Sequence, residues 1–246
     1  MGRSFIRVGA ACQNWGSVTF AKGSEPKLMQ RSHQVEDYAF SFQPHGIYQR
    51  WGKRCLDLIG STIGLILVSP VMLLAAIAIK LESKGPVYYR STRVGKNARH
   101  FEFLKFRSMC DGAENQRDEL EHLNEMDGPV FKITNDPRMT WVGKILRRTS
   151  VDELPQLIHV WRGEMSMIGP RPPIPEEVVQ YKPIYRRRLS VTPGITCLWQ
   201  VRGRNQISFE DWMALDREYI DNISLWMDLK VLVLTIPAVL RGIGAS

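Results

Sequence analysis

The chain has 246 residues, a net charge of +8 and 44% hydrophobic residues, which allows one compact domain with appendages. Its four cysteines lack C-x-x-C spacing and its histidines form no H-x-x-x-H or H-E-x-x-H pattern, so neither a disulfide framework nor a zinc site is indicated. The basic residues are spread between apolar stretches and form no arm or nucleic-acid motif, which sets nucleic acid aside and directs the charge at anionic headgroups and anionic substrates.

Residues 1–45 are polar, rich in Gly, Ser and Gln, and without sustained periodicity; they are expected to form a mobile tail. The dominant stretch follows, at residues 46–84. Its 22 residues from Leu58 to Ile79 carry no charge and as one helix measure about 33 Å, enough to cross a bilayer. Pro70, preceded by Ser69, removes a backbone donor near the middle and predicts a kink. Arg50, Lys53 and Arg54 flank one end, and Lys80, Lys84, Arg90, Arg93, Lys96 and Arg99 flank the other, so both ends favour the cytoplasmic side. The expectation is a re-entrant helix that bends at Ser69-Pro70 and returns; a straight anchor with a tolerated proline is the alternative. The first apolar run lies too far from the N-terminus for a secretory signal peptide, so residues 85–246 are expected to form a cytosolic domain.

Gly85-Pro86 makes a turn, after which Val87-Tyr88-Tyr89 and Phe101 to Phe106 read as short strands of a hairpin around Arg93-Val94-Gly95-Lys96-Asn97. Asp111 to Asp127 reads as an acidic helix, Val130 to Ile133 as a short strand, and Asn135-Asp136-Pro137 as the start of a helix ending near Arg148. Thr149 to Gln156 opens another helix that Gly163 stops. Gly169-Pro170-Arg171-Pro172-Pro173 forms a rigid loop, Glu176 to Leu189 a basic helix, Ile195 to Val201 a strand-like stretch, and Arg202-Gly203-Arg204-Asn205 a turn. Two helices close the chain, Ser208 to Asn222 and Leu225 to Leu240. The second is too short to span and fits either an amphipathic helix at the membrane interface or a buried C-terminal helix. The class is therefore α+β, mostly helical and membrane-associated.

Glycine-rich phosphate cradles of the G-x-x-x-x-G-K-[ST] and G-x-G-x-x-G types are absent, so phosphate handling must rely on basic side chains and helix ends. The candidates are Lys105, Arg107, Arg147, Arg148, Arg171, Arg202 and Arg204, each of which is also readable as a surface charge. The adjacent Asp152 and Glu153 are the sharper signal. Ser150-x-x-Glu153 has the form of a capping box, which is a purely structural reading. A carboxylate at the positive end of a helix, just after Arg147-Arg148, is also expected to stay ionised, as a nucleophile or a magnesium ligand requires.

From about Tyr48 onward the chain resembles the bacterial sugar transferase family, the monotopic polyprenyl-phosphate phosphoglycosyl transferases. The matching blocks are Lys53-Arg54-x-x-Asp57, Gly85-Pro86-Val87-Tyr88-Tyr89, Arg93-Val94-Gly95, Lys105-Phe106-Arg107-Ser108-Met109, Asp136-Pro137-Arg138, Asp152-Glu153-Leu154-Pro155-Gln156, Gly169-Pro170-Arg171-Pro172 and Pro193-Gly194-Ile195-Thr196. Thr192 and Cys197 stand where the family often has a basic residue and a glycine. The resemblance implies that Asp152 attacks a UDP-sugar to release UMP and hold a phosphosugar, which polyprenyl phosphate then accepts. It implies Glu153 as the partner of Asp152, Mg²⁺ held with Asp152 and Glu153, nucleotide contact at Pro170, Arg171 and Pro172, and a membrane bend at Ser69 and Pro70. It places the catalytic domain on the cytoplasmic face of the bacterial inner membrane, among anionic lipids, and is compatible with a homo-oligomer. Larger relatives carry further domains ahead of this region, so the chain is expected to be either the compact form or a shortened one. A non-catalytic membrane scaffold derived from the family is the rival reading.

Overall fold

The computed structural model describes residues 43–202 and 207–240. Residues 1–42 of the expected tail, the turn at 203–206 and Arg204 within it lie outside the described residues. A π-helical turn, Tyr48–Gly52, runs without a break into helix α1, Lys53–Glu82, which contains Pro70. Proline deprives the Ile66 carbonyl of its usual i+4 donor. The Ser69 hydroxyl supplies the missing bond, donating to that carbonyl at 2.9 Å, and the helix continues through the proline.

Both ends of α1 dock on the same folded body. Near its start, Arg54 donates to the carbonyls of Val160 and Trp161 at 2.6 and 2.7 Å. Asp57 accepts from the Ser166 hydroxyl and the Met167 amide at 2.9 and 2.8 Å. Near its end, Ala75 and Ile79 pack with Phe106 and Leu146, and Glu82 accepts from the Val142 amide at 2.9 Å. Between these anchorages Ile63, Ile66, Leu67, Leu73 and Leu74 are exposed.

Strands β1, Tyr88–Val94, and β2, His100–Phe106, pair antiparallel from Tyr88↔Phe106 to Val94↔His100. The first strand is longer than expected and takes Arg93 and Val94 out of the predicted loop. Alternation then puts Tyr89, Ser91 and Arg93 on one face with Phe101, Phe103 and Lys105.

The segment between the hairpin and Asp152 departs most from expectation. The acidic stretch forms only two 3-10 turns, Ala113–Gln116 and Asp118–Leu123. It offers no apolar stripe to bury, and packing of such a stripe is what stabilises most helices. Val130 and Ile133 are buried in irregular chain, not in a strand. The next helix, α2, Trp141–Arg148, starts later than expected because Thr140, not Asn135, caps it, accepting from the Gly143 amide at 2.9 Å. Gly143 is required there: a Cβ would lie 1.9 Å from the Ser108 carbonyl oxygen.

A left-handed Ser150 and a 3-10 turn, Val151–Glu153, lead into α3, Gln156–Arg162, which ends at Gly163 with φ +88°. Ser150 makes no side-chain cap, so the capping box does not form. Strands β3, Ser166–Ile168, and β4, Gly194–Thr196, pair in parallel. The expected basic helix is divided into α4, Pro175–Val179, and a 3-10 run, Pro183–Ser190. Pro183 disfavours helical geometry at the residue before it. The strand-like stretch shortens to β4, and Leu198–Arg202 is instead helix α5.

Helices α6, Phe209–Asp221, and α7, Leu225–Leu240, complete the body. Ser208 caps α6, accepting from the Asp211 amide. Helix α7 is buried along one side and exposed along the other: Asp228 and Val231 are buried, whereas Trp226, Leu229, Val233 and Ile236 are exposed.

Arg188 lies in the core of the C-terminal half, 2.9 Å from Asp216 and stacked over Trp212, and donates to the Arg171 carbonyl at 3.0 Å. Burial pushes the Asp216 carboxyl up to about 6 despite Arg188. The folded chain thus holds this proton more tightly than the unfolded chain, whose aspartates titrate near about 4. The contribution of Asp216 to stability therefore falls as pH rises from about 4 to about 6 and is flat above that range. Asp216→Asn should remove this component from pH-dependent thermal melts in detergent. At neutral pH, where the buried wild-type carboxyl is ionised at a cost to the fold, the neutral isostere should leave the melt unchanged or raise it.

Candidate active site

Asp152 sits in the 3-10 turn between α2 and α3, buried at 6% exposure. Two cations reach it from different elements, Lys105 from β2 and Arg147 from the last turn of α2. Arg147 is steadied by donation from Nε to the Ser108 hydroxyl at 3.0 Å. Behind it, Arg138 is held by Asp136 through bonds of 2.9 and 2.6 Å. Lys105 lies over the Tyr89 ring, its Nζ 5.2 Å from the centroid.

The electrostatics modify the expectation that the helix end and the preceding Arg147-Arg148 keep Asp152 ionised: Arg147 does favour the charge, but burial outweighs it. Burial pushes its carboxyl above the ordinary aspartate range, and the charges of Lys105 and Arg147 act in the opposite direction. The same burial, with Arg147 nearby, lowers the Lys105 amine to about 8. A desolvated carboxylate between two cations is more basic than a solvated one, which suits a nucleophile once it is ionised.

His159, on α3, ties this turn to the strand that carries Lys105. Its Nε2 accepts from the Leu104 amide at 3.0 Å, and its Nδ1 is 2.6 Å from Glu164 Oε2. The proton therefore lies on Nδ1, where the carboxylate accepts it. The ring also stacks on Phe103, 6.2 Å between centroids and 5° from parallel. Sequence reading did not single out His159, since its partner Leu104 is distant in the chain.

The loop at 169–173 is fixed by its carbonyls. Those of Pro170, Arg171, Pro172 and Pro173 accept from the Gly194 amide, Arg188, Arg93 and the Val94 amide at 2.9, 3.0, 3.1 and 2.9 Å. Pro170 and Pro172 are buried, and the half-buried Arg171 side chain rises from a fully braced backbone. A Cβ on Gly194 would meet the Gly169 nitrogen at 2.0 Å, so the close approach of this loop to β4 needs glycine there.

Of the residues singled out from sequence, Asp152, Glu153, Lys105 and Arg147 come together. Arg107 does not: its guanidinium donates to the Ser83 and Lys84 carbonyls and the Ser83 hydroxyl at 3.0, 2.8 and 2.7 Å, clamping the exit of α1. Arg148 is exposed and has no part in the charge balance of Asp152. Arg202 is paired with Glu218 at 2.7 Å. Among the described residues no group of three or more His, Cys, Asp and Glu gathers that could hold a metal ion.

The family model described as bacterial sugar transferase matches residues 48–242, from the π-helical turn through the whole of α7. The chain belongs to the bacterial sugar transferase family. Relatives of the chain include the galactosyl transferase CpsE of Streptococcus agalactiae, 45% identical over 195 residues, 79% of this chain and 43% of CpsE. The exopolysaccharide production protein ExoY of Rhizobium meliloti is 40% identical over 197 residues, 78% of this chain and 87% of ExoY. The UDP-glucose:undecaprenyl-phosphate glucose-1-phosphate transferase of Caulobacter vibrioides is 42% identical over 198 residues, 76% of this chain and 69% of that protein. The chain thus spans less than half of CpsE but most of ExoY.

His159→Leu should leave the Leu104 amide and the Glu164 carboxylate without a partner and lower stability by about 1–3 kcal/mol. Hydrogen exchange should show loss of protection centred on the Leu104 amide, and an unchanged rate there would count against the tie between α3 and β2.

Proposed function

We propose that the protein is a membrane-bound phosphoglycosyl transferase that moves a sugar 1-phosphate from a UDP-sugar to polyprenyl phosphate at the cytoplasmic face of the inner membrane. The product starts exopolysaccharide, capsule or O-antigen assembly. The observation that carries this reading is the buried Asp152 carboxylate flanked by Lys105 and Arg147. An anionic nucleophile and an anionic diphosphate repel each other, and two fixed cations in a desolvated site offset that repulsion. The relatives named for galactosyl and glucose transfer support a hexose as the sugar.

In the first step an Asp152 carboxylate oxygen forms a bond to the sugar-bearing phosphorus while the bond to the bridging anhydride oxygen breaks. That oxygen leaves with UMP. In the second step an oxygen of polyprenyl phosphate bonds to the same phosphorus and the Asp152 carboxylate is expelled. Dividing the transfer lets one site serve a soluble donor and a lipid acceptor in turn. The adjacent Asp152 and Glu153 suit magnesium, which binds through one or two protein carboxylates and takes its remaining ligands from substrate phosphates and water. Bound there, it supplies further offset for diphosphate charge.

The placement of α1 supports a re-entrant reading. Its two ends are bonded to one body, through Arg54 and Asp57 at the start and Glu82 at the end. A folded body cannot stand on both sides of a bilayer, so the exposed apolar middle of the helix is read as a wedge entering one leaflet.

Asp152→Asn should lower UMP release from UDP-glucose or UDP-galactose by about three orders of magnitude or more while the protein still sediments with membranes. Normal turnover in that variant would refute the nucleophile assignment. Single cysteines at Trp51 and Lys84, in a background without the native cysteines, should both react with an impermeant reagent from the cytoplasmic side of sealed vesicles. Labelling from opposite sides would instead establish a helix that crosses.

A further inference from the structure

Arg93 is buried at 9% exposure. Its hydrogen bonds go to neutral partners, Nη1 to the Pro172 carbonyl at 3.1 Å and Nε to the Ser91 hydroxyl at 3.4 Å. Its guanidinium carbon also lies 5.1 Å from the centroid of the Phe103 ring. Among the described residues no carboxylate comes within ion-pairing distance of it; Glu177, the acid that most favours its charge, acts from further away. Elsewhere among the described residues Arg138 is paired with Asp136 and Arg188 with Asp216, whereas Arg107, like Arg93, has only neutral partners but spends its donors on Ser83 and Lys84 at the exit of α1.

Its neighbours make the charge costlier. Burial and the charge of Arg171 together lower the Arg93 guanidinium to about 10, and Arg93 in turn weakens the hold of Lys105 on its proton. A desolvated guanidinium beside like charges and without an ion-paired acid is unfavourable in the free protein. An anion arriving among them would reverse that balance.

The register indicates which anion. Lys105 pairs with Tyr89, four residues along β1 from Arg93, and all three side chains lie on one face of the hairpin. That face therefore carries cations at two stations roughly 13 Å apart along the backbone, within reach of one another through long side chains. Lys105 and Arg147 mark the station at Asp152; Arg93 and Arg171 mark the station at the braced 169–173 loop. A nucleotide diphosphate carries two adjacent phosphates that differ in fate, one transferred and one released.

We propose that Arg93, acting with Arg171, binds the phosphate that leaves as part of UMP, while Lys105 and Arg147 bind the phosphate that passes to Asp152. This assignment rests on the donor being a UDP-sugar. Arg93 then matters for the first half-reaction and not for recognition of the lipid phosphate. The unpaired guanidinium is a standing cost to the empty protein that the nucleotide relieves.

The test uses the full chain in nanodiscs, with Arg93→Met and Arg93→Lys. Arg93→Met should melt at or above the wild-type temperature without ligand, bind UDP and UMP on the order of tenfold more weakly, and release less UMP from UDP-glucose or UDP-galactose when no lipid acceptor is present. Arg93→Lys should recover part of the affinity. Wild-type affinity for UDP in a folded Arg93→Met overturns the assignment, as does a defect confined to the concentration dependence on polyprenyl phosphate. If Arg93→Met is unstable and Arg93→Lys binds UDP as the wild type does, Arg93 serves packing and the assignment also fails. A wild-type chain that binds neither UDP nor UMP overturns the UDP-sugar reading itself, and this assignment with it.

Discussion

A carboxylate withdrawn from water must be met by charge that is already in place, because the surroundings cannot reorganise as water does. Asp152 is in that position, and the structure around it can be understood as the means of holding Lys105 and Arg147 beside it. Lys105 arrives on a hairpin strand that His159 ties to the helix following Asp152. Arg147 arrives on a helix seated against the Ser108 backbone at Gly143, with Ser108 also bonding the guanidinium. Neither cation is near Asp152 because of helix geometry alone; each is delivered by a packing contact made elsewhere.

The same economy governs the long apolar helix. Its middle exposes Ile66, Leu67, Leu73 and Leu74, while polar anchors at both ends fasten it to the folded body. At the start, Lys53 donates to the Ile168 carbonyl and to the buried Asp228 at 2.9 and 2.8 Å, and Tyr219 donates to Asp228 at 2.8 Å. At the end, Arg107 closes on Ser83 and Lys84. Phe106 of β2 packs against this end of the helix, one residue from Lys105. The exposed apolar helix and the Asp152 turn are consequently fastened to the same elements, so the position of one sets that of the other.

The Arg93 station adds a tension of a kind common in binding sites. A buried cation without an acid lowers the stability of the empty protein, and the chain tolerates it where a braced loop and an aromatic ring hold the guanidinium in place. Arg188, equally buried, has Asp216 and an aromatic on which to rest, and braces the Arg171 backbone. Both buried arginines therefore brace the loop, but one is matched by an acid and the other is not.

Features that depend on neighbours in the chain were legible from the sequence alone: the uncharged run long enough for a bilayer, Pro70 after a serine, the Asp152-Glu153 pair, the Pro- and Gly-braced loop and the two closing helices. Each reflects short-range geometry or composition, which nearby residues settle among themselves. Only the tertiary structure decided which cations serve Asp152. Arg107 and Lys105 are two residues apart, yet one clamps the helix exit and the other joins the site. Arg93 lies in what reads as a turn, and the register carries it onto the face that Lys105 occupies. The acidic stretch after residue 111 looked helical by composition but found no surface on which to bury a face. Charge coupling and burial depend on distances between segments brought together only by folding, and no local pattern encodes those distances.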